Sequence, residues 1–299
     1  MNETMISWTQ LTWNPMSGCT KISEECKHCY AEQLAEDKRG TAAFPNGFDL
    51  TFRPHKLAEP GRIKEPSLIF CNSMSDPGLP EIPDAYRGRI FDAIEAAPRH
   101  RYQMLTKRPD VLYDWMRRTG RRVPASVWMG VTLGHANRVE RLDVLRRFRD
   151  LSATVLFVSA EPLLSHLPIS LDGIDWIITG GESGRHASDP KELAARFLVR
   201  RGARGEANWV PREDRADWVR VIRDGADRAG AAHWFKQWGG PRPESGGRIL
   251  DGRTHDGMPT HISGAMPAGY AHKAMVPKGA DKVRLPVVSA QRPSTISVV

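Results

Sequence analysis

Three of the four cysteines, Cys19, Cys26 and Cys29, fall within eleven residues, and Cys71 stands alone. Two residues separate Cys26 from Cys29, a spacing that lets both thiolates face one metal centre. The six-residue arm Thr20–Glu25 is long enough to bring Cys19 round to a third position. His28 lies between two of the thiols and is poorly placed to face the same centre. Structural zinc generally takes four protein ligands, whereas three thiolates with an open position suit a reactive centre such as a four-iron cluster. A zinc site completed by a histidine or by Cys71 remains open, as do three unligated thiols. Four cysteines are too few for a disulfide scaffold in 299 residues.

A second group of residues stands where short apolar runs stop. Lys107 and Arg108 are donors suited to a carboxylate or phosphate, although a solvated loop also explains them. Gly180 and Gly181 allow close backbone approach to a ligand, as a tight turn would. Lys236 suits a phosphate, Gln237 follows it, and Trp238 suits base stacking or core packing. Cys71 sits inside a β-prone run and reads as a buried apolar residue.

The elements that must position these groups alternate along the chain. Strands are expected at Leu11–Asn14, Ser67–Asn72, Tyr102–Leu105, Val127–Val131, Thr154–Ser159, Trp176–Thr179 and His233–Lys236. Helical spacing covers Tyr30–Lys38, Asp84–Ala97, Asp110–Arg118, Asn137–Arg149 and Asp214–Ala229. Six or seven βα units predict an α/β fold, a full or partial parallel β/α barrel of the TIM type. An open doubly wound sheet has the same local pattern. Either fold gathers its chemistry at the carboxyl ends of the strands. Cys19, Asp76, Lys107, Thr132, Glu161, Glu182 and Gln237 are therefore expected on one face. Residues 1–259 are expected to form the barrel domain, with the charged stretch 185–212 an insertion or lid that is helical over Pro190–Arg200. Residues 260–299, rich in Pro, Gly, Ala and Ser, read as a loosely ordered tail.

Composition narrows the class. With 40% hydrophobic and 26% charged residues the chain can bury a core. No apolar run approaches the roughly 18–20 residues of a membrane span, so no membrane partner is expected. Met1–Trp8 has an acidic residue and no long apolar run, so no secretory signal and a cytoplasmic location are expected. The net charge of +8 favours a polyanionic partner such as nucleic acid.

Longer motifs carry a resemblance. Thr12-Trp13-Asn14-Pro15, Gly18-Cys19-Thr20-Lys21 and Cys26-Lys27-His28-Cys29-Tyr30-Ala31 open the series. Asn72-Ser73-Met74-Ser75-Asp76, Leu105-Thr106-Lys107-Arg108-Pro109 and Ser159-Ala160-Glu161-Pro162-Leu163-Leu164 follow. Gly180-Gly181-Glu182-Ser183-Gly184, Phe235-Lys236-Gln237-Trp238-Gly239 and Leu250-Asp251-Gly252-Arg253 complete it. Over residues 6–258 the chain resembles the three-cysteine-motif family, also called the phage gp-thirty-seven/gp-sixty-eight family. Its cysteine triad is similar to that of the radical S-adenosylmethionine superfamily. The six-residue arm departs from the commoner three, and His28 stands where that superfamily usually has an aromatic residue.

The resemblance implies a [4Fe–4S] cluster on Cys19, Cys26 and Cys29 with S-adenosyl-L-methionine as co-substrate. It places His28 and Tyr30 beside the cofactor, with His28 stacked on adenine, and Ser73, Ser75 and Asp76 near the methionine amino group. A turn or helix cap accounts equally for Asp76. Glu161 and Glu182 would orient ribose, meet the sulfonium side or hold substrate. The alternative for Glu161 is an ion pair with Lys107 or Lys236. The expected activity is radical chemistry of the lyase or isomerase type on a nucleic-acid base or modified nucleotide. The expected partners are a flavodoxin- or ferredoxin-type reductant and a dedicated family partner protein. A nucleic-acid-binding module with a structural zinc or iron–sulfur centre is the rival, as is a non-catalytic partner subunit of a phage or mobile element.

Overall fold

The computed structural model describes residues 1–259; the expected tail, 260–299, lies outside the described residues. Seven parallel strands stand side by side in chain order: β1 (Leu11–Trp13), β2 (Leu68–Cys71), β3 (Arg101–Thr106), β4 (Val127–Thr132), β5 (Val155–Ala160), β6 (Trp176–Gly180) and β7 (Ala232–Gln237). A short strand, Asn2–Glu3, adds antiparallel to β1. The order never reverses, so the sheet has no switch point of the doubly wound kind. Among the described residues its two edge strands do not pair, so the barrel is partial.

Alternation along the strands sorts the side chains. Ile69, Cys71, Tyr102, Met104, Met129, Val131, Leu156 and Val158 face the helices. These are chiefly α2 (Asp84–Glu95), α3 (Pro109–Thr119), α4 (Glu140–Arg147) and α6 (Glu213–Ala229), which bury Ile90, Leu112, Leu145 and Val219 among others on that side. Leu68, Phe70, Trp128, Val155, Phe157, Trp176, Ile178 and Trp234 make a separate cluster on the other face, joined by Trp8 and Met258. That face is concave. The Trp8 ring lies 4.8 Å from Phe70 of β2 and 6.1 Å from Trp176 of β6. In a flat sheet those strands would be about 19 Å apart, four spacings of about 4.8 Å. Gly130 of β4 leaves room for this packing, since a Cβ there would meet the Phe157 ring at 2.3 Å.

The helices follow their expected positions with different ends. The Asn137–Arg149 segment divides into 3-10 turns at Ala136–Arg138 and Phe148–Leu151 around α4, which leaves Val139 exposed. Within 185–212, α5 (Pro190–Arg196) stops at Arg196, and Val199–Arg201 pairs instead with Trp209–Pro211 as an antiparallel ribbon. Among the described residues no helix is long and apolar enough to cross a membrane.

Candidate active site

The loop after β1 carries the cysteines to the carboxyl ends of the strands. Met16–Ser17 pairs with Thr51–Phe52, and Gly18 then turns the chain with φ +98° while its amide donates to the Met74 carbonyl. A Cβ at Gly18 would lie 2.5 Å from the Asp49 backbone, so the turn into Cys19 requires glycine. Cys29 ends the loop as the N-cap of α1 (Tyr30–Glu36).

All four cysteines are free thiols. Arg108 Nη1 lies 3.5 Å from Cys19 Sγ, and Ser23 Oγ lies 3.7 Å from Cys26 Sγ. Burial pushes the Cys19 thiol up to about 11, helped by the Asp76 carboxylate and opposed by Arg108 and Lys107. Burial also acts upward on Cys26, but the Lys107 charge and hydrogen bonds from Ile22 and Ser23 outweigh it and leave that thiol low. Cys71 is wholly buried on the helix side of β2, and burial alone drives its pKa far up. Among the described residues no three His, Cys, Asp or Glu side chains converge as a site for a single metal ion. Three free thiols share one loop at the strand mouth, the donor number a four-iron cluster with one open iron takes, and the fourth is sealed in the core.

The strand-end residues divide into free and committed groups. Lys107 has no side-chain hydrogen bond or ion pair among the described residues, and its charge acts on both Cys19 and Cys26. Arg108, expected to hold substrate, is instead buried. It pairs with Asp76 at 3.1 Å and donates to the Thr20 carbonyl at 2.7 Å and hydroxyl at 2.8 Å. Asp76, expected beside the cofactor, accepts from Gly78 N, Thr106 Oγ1, Lys107 N and Arg108, which is the turn-cap reading. Ser73 exchanges hydrogen bonds with Asn14, while Ser75 donates to the Met16 carbonyl. The Tyr30 hydroxyl donates to the Ser73 carbonyl and leaves its ring exposed.

Glu161 lies on the concave face, where Trp8 Nε1 (3.2 Å), Ser159 Oγ (3.3 Å) and Lys236 Nζ (3.2 Å) surround its carboxylate. The ion pair with Lys236 is the alternative raised from the sequence. Glu182 is buried against Arg196 of α5, at 2.6 and 2.8 Å, so each of its oxygens already accepts a charged hydrogen bond. His28 stacks on His186 with centroids 3.8 Å apart and meets Glu192 at 2.8 Å, so one ring face is already covered. The space beside Gly180 holds Glu161 Oε1 and that beside Gly181 holds the Trp238 carbonyl, so neighbouring loops explain both glycines. Gln237 donates to Ser183 Oγ, and Trp238 is core, with its indole N–H on the Ile249 carbonyl.

Two groups escaped the sequence reading. Glu25, inside the cysteine loop, has a side chain with no exposure and accepts from Gly134 N at 2.9 Å and Arg141 at 3.3 Å. Burial would raise its pKa, but hydrogen bonds from Ser23 and Gly134 and the Arg141 charge hold it low. Asn72, at positive φ after β2, has both amide atoms buried and unpartnered. A buried glutamate beside a cysteine gives no periodic signal, although its place inside the ligand loop could have marked it. A cavity of about 390 Å³ lined by Pro98, Pro124, Ser126 and Thr154 lies at the amino ends of the strands, the end associated with stability rather than chemistry.

A partial parallel β/α barrel with a cysteine loop fastened across the carboxyl ends of its strands defines the class of protein. Residues 3–201 and 201–259 match the family described as protein of unknown function (DUF5131), and the chain belongs to that family. The expected phage association is not part of that description. No curated protein matches the sequence. Among solved structures the chain is similar to a spore photoproduct lyase variant, with a TM-score of 0.48 and 15% identity over 76% of this chain and 77% of that one. It is also similar to spore photoproduct lyase complexed with dinucleoside spore photoproduct (TM-score 0.45, 14% identity, 74% and 75% covered). A variant with bound AdoMet and dinucleoside spore photoproduct gives 0.43, 13%, and 75% of each chain.

Proposed function

We propose that this chain is a radical S-adenosylmethionine enzyme acting on a nucleic-acid base or modified nucleotide, with Cys19, Cys26 and Cys29 holding a [4Fe–4S] cluster. The observation that carries this reading is the placement of three reduced thiols on one loop over the strand mouth, while Cys71 is sealed away. When bound, the cluster would supply one electron to split the sulfonium of S-adenosylmethionine and release a 5′-deoxyadenosyl radical.

The chain's own residues would bind, orient and exclude water. Lys107, with no partner among the described residues and its charge felt at Cys19 and Cys26, is the group to hold an anionic carboxylate or phosphate. Lys236 and Glu161 already face one another on the concave side, ready to exchange that contact for a polar substrate. Trp8, Phe70, Trp128, Phe157, Trp176 and Trp234 form an apolar floor that keeps water from below. The +8 net charge supports a nucleic-acid substrate, and a flavodoxin- or ferredoxin-type protein would deliver the electron. The outcome as lyase or isomerase belongs to the same proposal.

Anaerobic reconstitution with iron and sulfide, followed by S-adenosylmethionine and dithionite, should yield 5′-deoxyadenosine. Lys107→Met should keep the cluster and lose at least about tenfold in cleavage, the scale of one charged hydrogen bond. No cleavage from a cluster-replete sample, or one zinc per chain and no cluster, would overturn the reading.

A further inference from the structure

The arm between Cys19 and Cys26 is held in an unusual way. Alternate carbonyls along it each accept from a different arginine: Thr20 from Arg108 at 2.7 Å, Ile22 from Arg138 at 2.7 Å and Glu24 from Arg196 at 3.0 Å. The three come from separate parts of the mouth. Arg108 follows β3, Arg138 follows β4 in the Ala136–Arg138 turn, and Arg196 ends α5 beyond β6. Two are fixed by buried carboxylates, Arg108 by Asp76 and Arg196 by Glu182. The Glu25 side chain pins the same arm to Arg141. A six-residue arm in water would sample many shapes, and closing it on a ligand would cost the entropy of ordering it. Here the fold meets that cost with three hydrogen bonds from distant arginines and one buried ion pair along the arm.

We infer that Arg108, Arg138 and Arg196 are positioning residues that lock the Cys19–Cys26 arm in its ligand-presenting shape before any cluster binds, and that the charge of Arg138, which no buried carboxylate neutralises, then favours the reduced cluster. The second half rests on the cluster reading of the proposed function; the first does not. Positive charge and hydrogen bonds near an iron–sulfur centre raise its reduction potential.

Arg138 gives the cleanest test, because its contacts are the Ile22 carbonyl and a longer approach to Glu140 at 3.9 Å. In protein freed of iron by chelation, hydrogen exchange of peptides covering residues 20–27 should be slow. Arg138→Gln should speed it at least about tenfold, the worth of one hydrogen bond to a charged group, while the thermal midpoint falls by only a few degrees and the rest of the chain stays protected. After reconstitution the same variant should lose iron to a chelator faster and show a more negative midpoint potential. Arg138→Lys should restore part of each effect. Free exchange of the arm in the wild-type chain, or no change in Arg138→Gln, would overturn the locking. A potential that does not move would overturn the electrostatic half. A protected arm that opens in Arg138→Gln, in a chain that takes up no iron, would leave the lock standing and remove the proposed function.

Discussion

At the scale of single residues, the four thiols differ by environment rather than by type. Cys19 and Cys29 are partly exposed and Cys26 lies under the loop, but Cys71 is enclosed between β2 and the helices. Alanine at Cys19, Cys26 or Cys29 should each abolish the cluster, measured as iron and sulfide per chain. Cys71→Ala should leave iron content intact and lower the unfolding free energy by about 1 kcal/mol through lost packing. Equal iron loss from the Cys71 variant would show a different ligand set. At the same scale, Arg108, Asp76 and Glu182 show what residue type alone does not record. Each has the chemistry to meet a ligand, and each is already neutralised by a buried neighbour.

At the scale of elements, the cysteine loop, α4 and the loop after β4 are knitted through Glu25. Its carboxylate takes the Gly134 amide and the Arg141 guanidinium, and Arg141 also donates to the Thr132 carbonyl at 2.7 Å. Removing one partner from such a pair leaves the other buried and uncompensated. Glu25→Ala should therefore destabilise the chain by about 3–5 kcal/mol in urea unfolding. Replacing Glu25 and Arg141 together with apolar residues should cost much less. A loss under about 1 kcal/mol for the single variant would mean that the pair is solvated.

At the scale of the whole molecule, stability should fall in acid. His233 of β7 is held near 3, chiefly by burial and secondarily by the neighbouring His255 charge. Its folded value lies below the ordinary value of about 6.5, so the unfolded chain binds the extra proton as pH drops. The stability His233 contributes is complete above about pH 6.5 and is lost progressively down to about pH 3, with a slope of up to about 1.4 kcal/mol per pH unit. Burial lowers His100, His186 and His255 in the same direction. Urea midpoints should be higher at pH 7.5 than at pH 5, and His233→Gln should flatten that difference. A wild-type chain more stable at pH 5 would contradict this account.

By itself the sequence determined the seven strands, most helix positions and the cysteine loop after the first strand; that the strands lie side by side in chain order rather than doubly wound was decided by the tertiary structure. Alternation, helical spacing and short cysteine spacing are local, and every residue that sets them lies within a few positions. Tertiary structure alone decided which polar groups remain free. Arg108 reaches Thr20 across 88 residues, Arg138 reaches Ile22 across 116 and Arg196 reaches Glu24 across 172. The curl of the sheet likewise had no local signature, because it arises from Trp8 meeting Phe70 and Trp176 on strands far apart in sequence. Whether a charged side chain serves the fold or a ligand depends on the partner folding brings to it, and one-dimensional spacing does not record that partner.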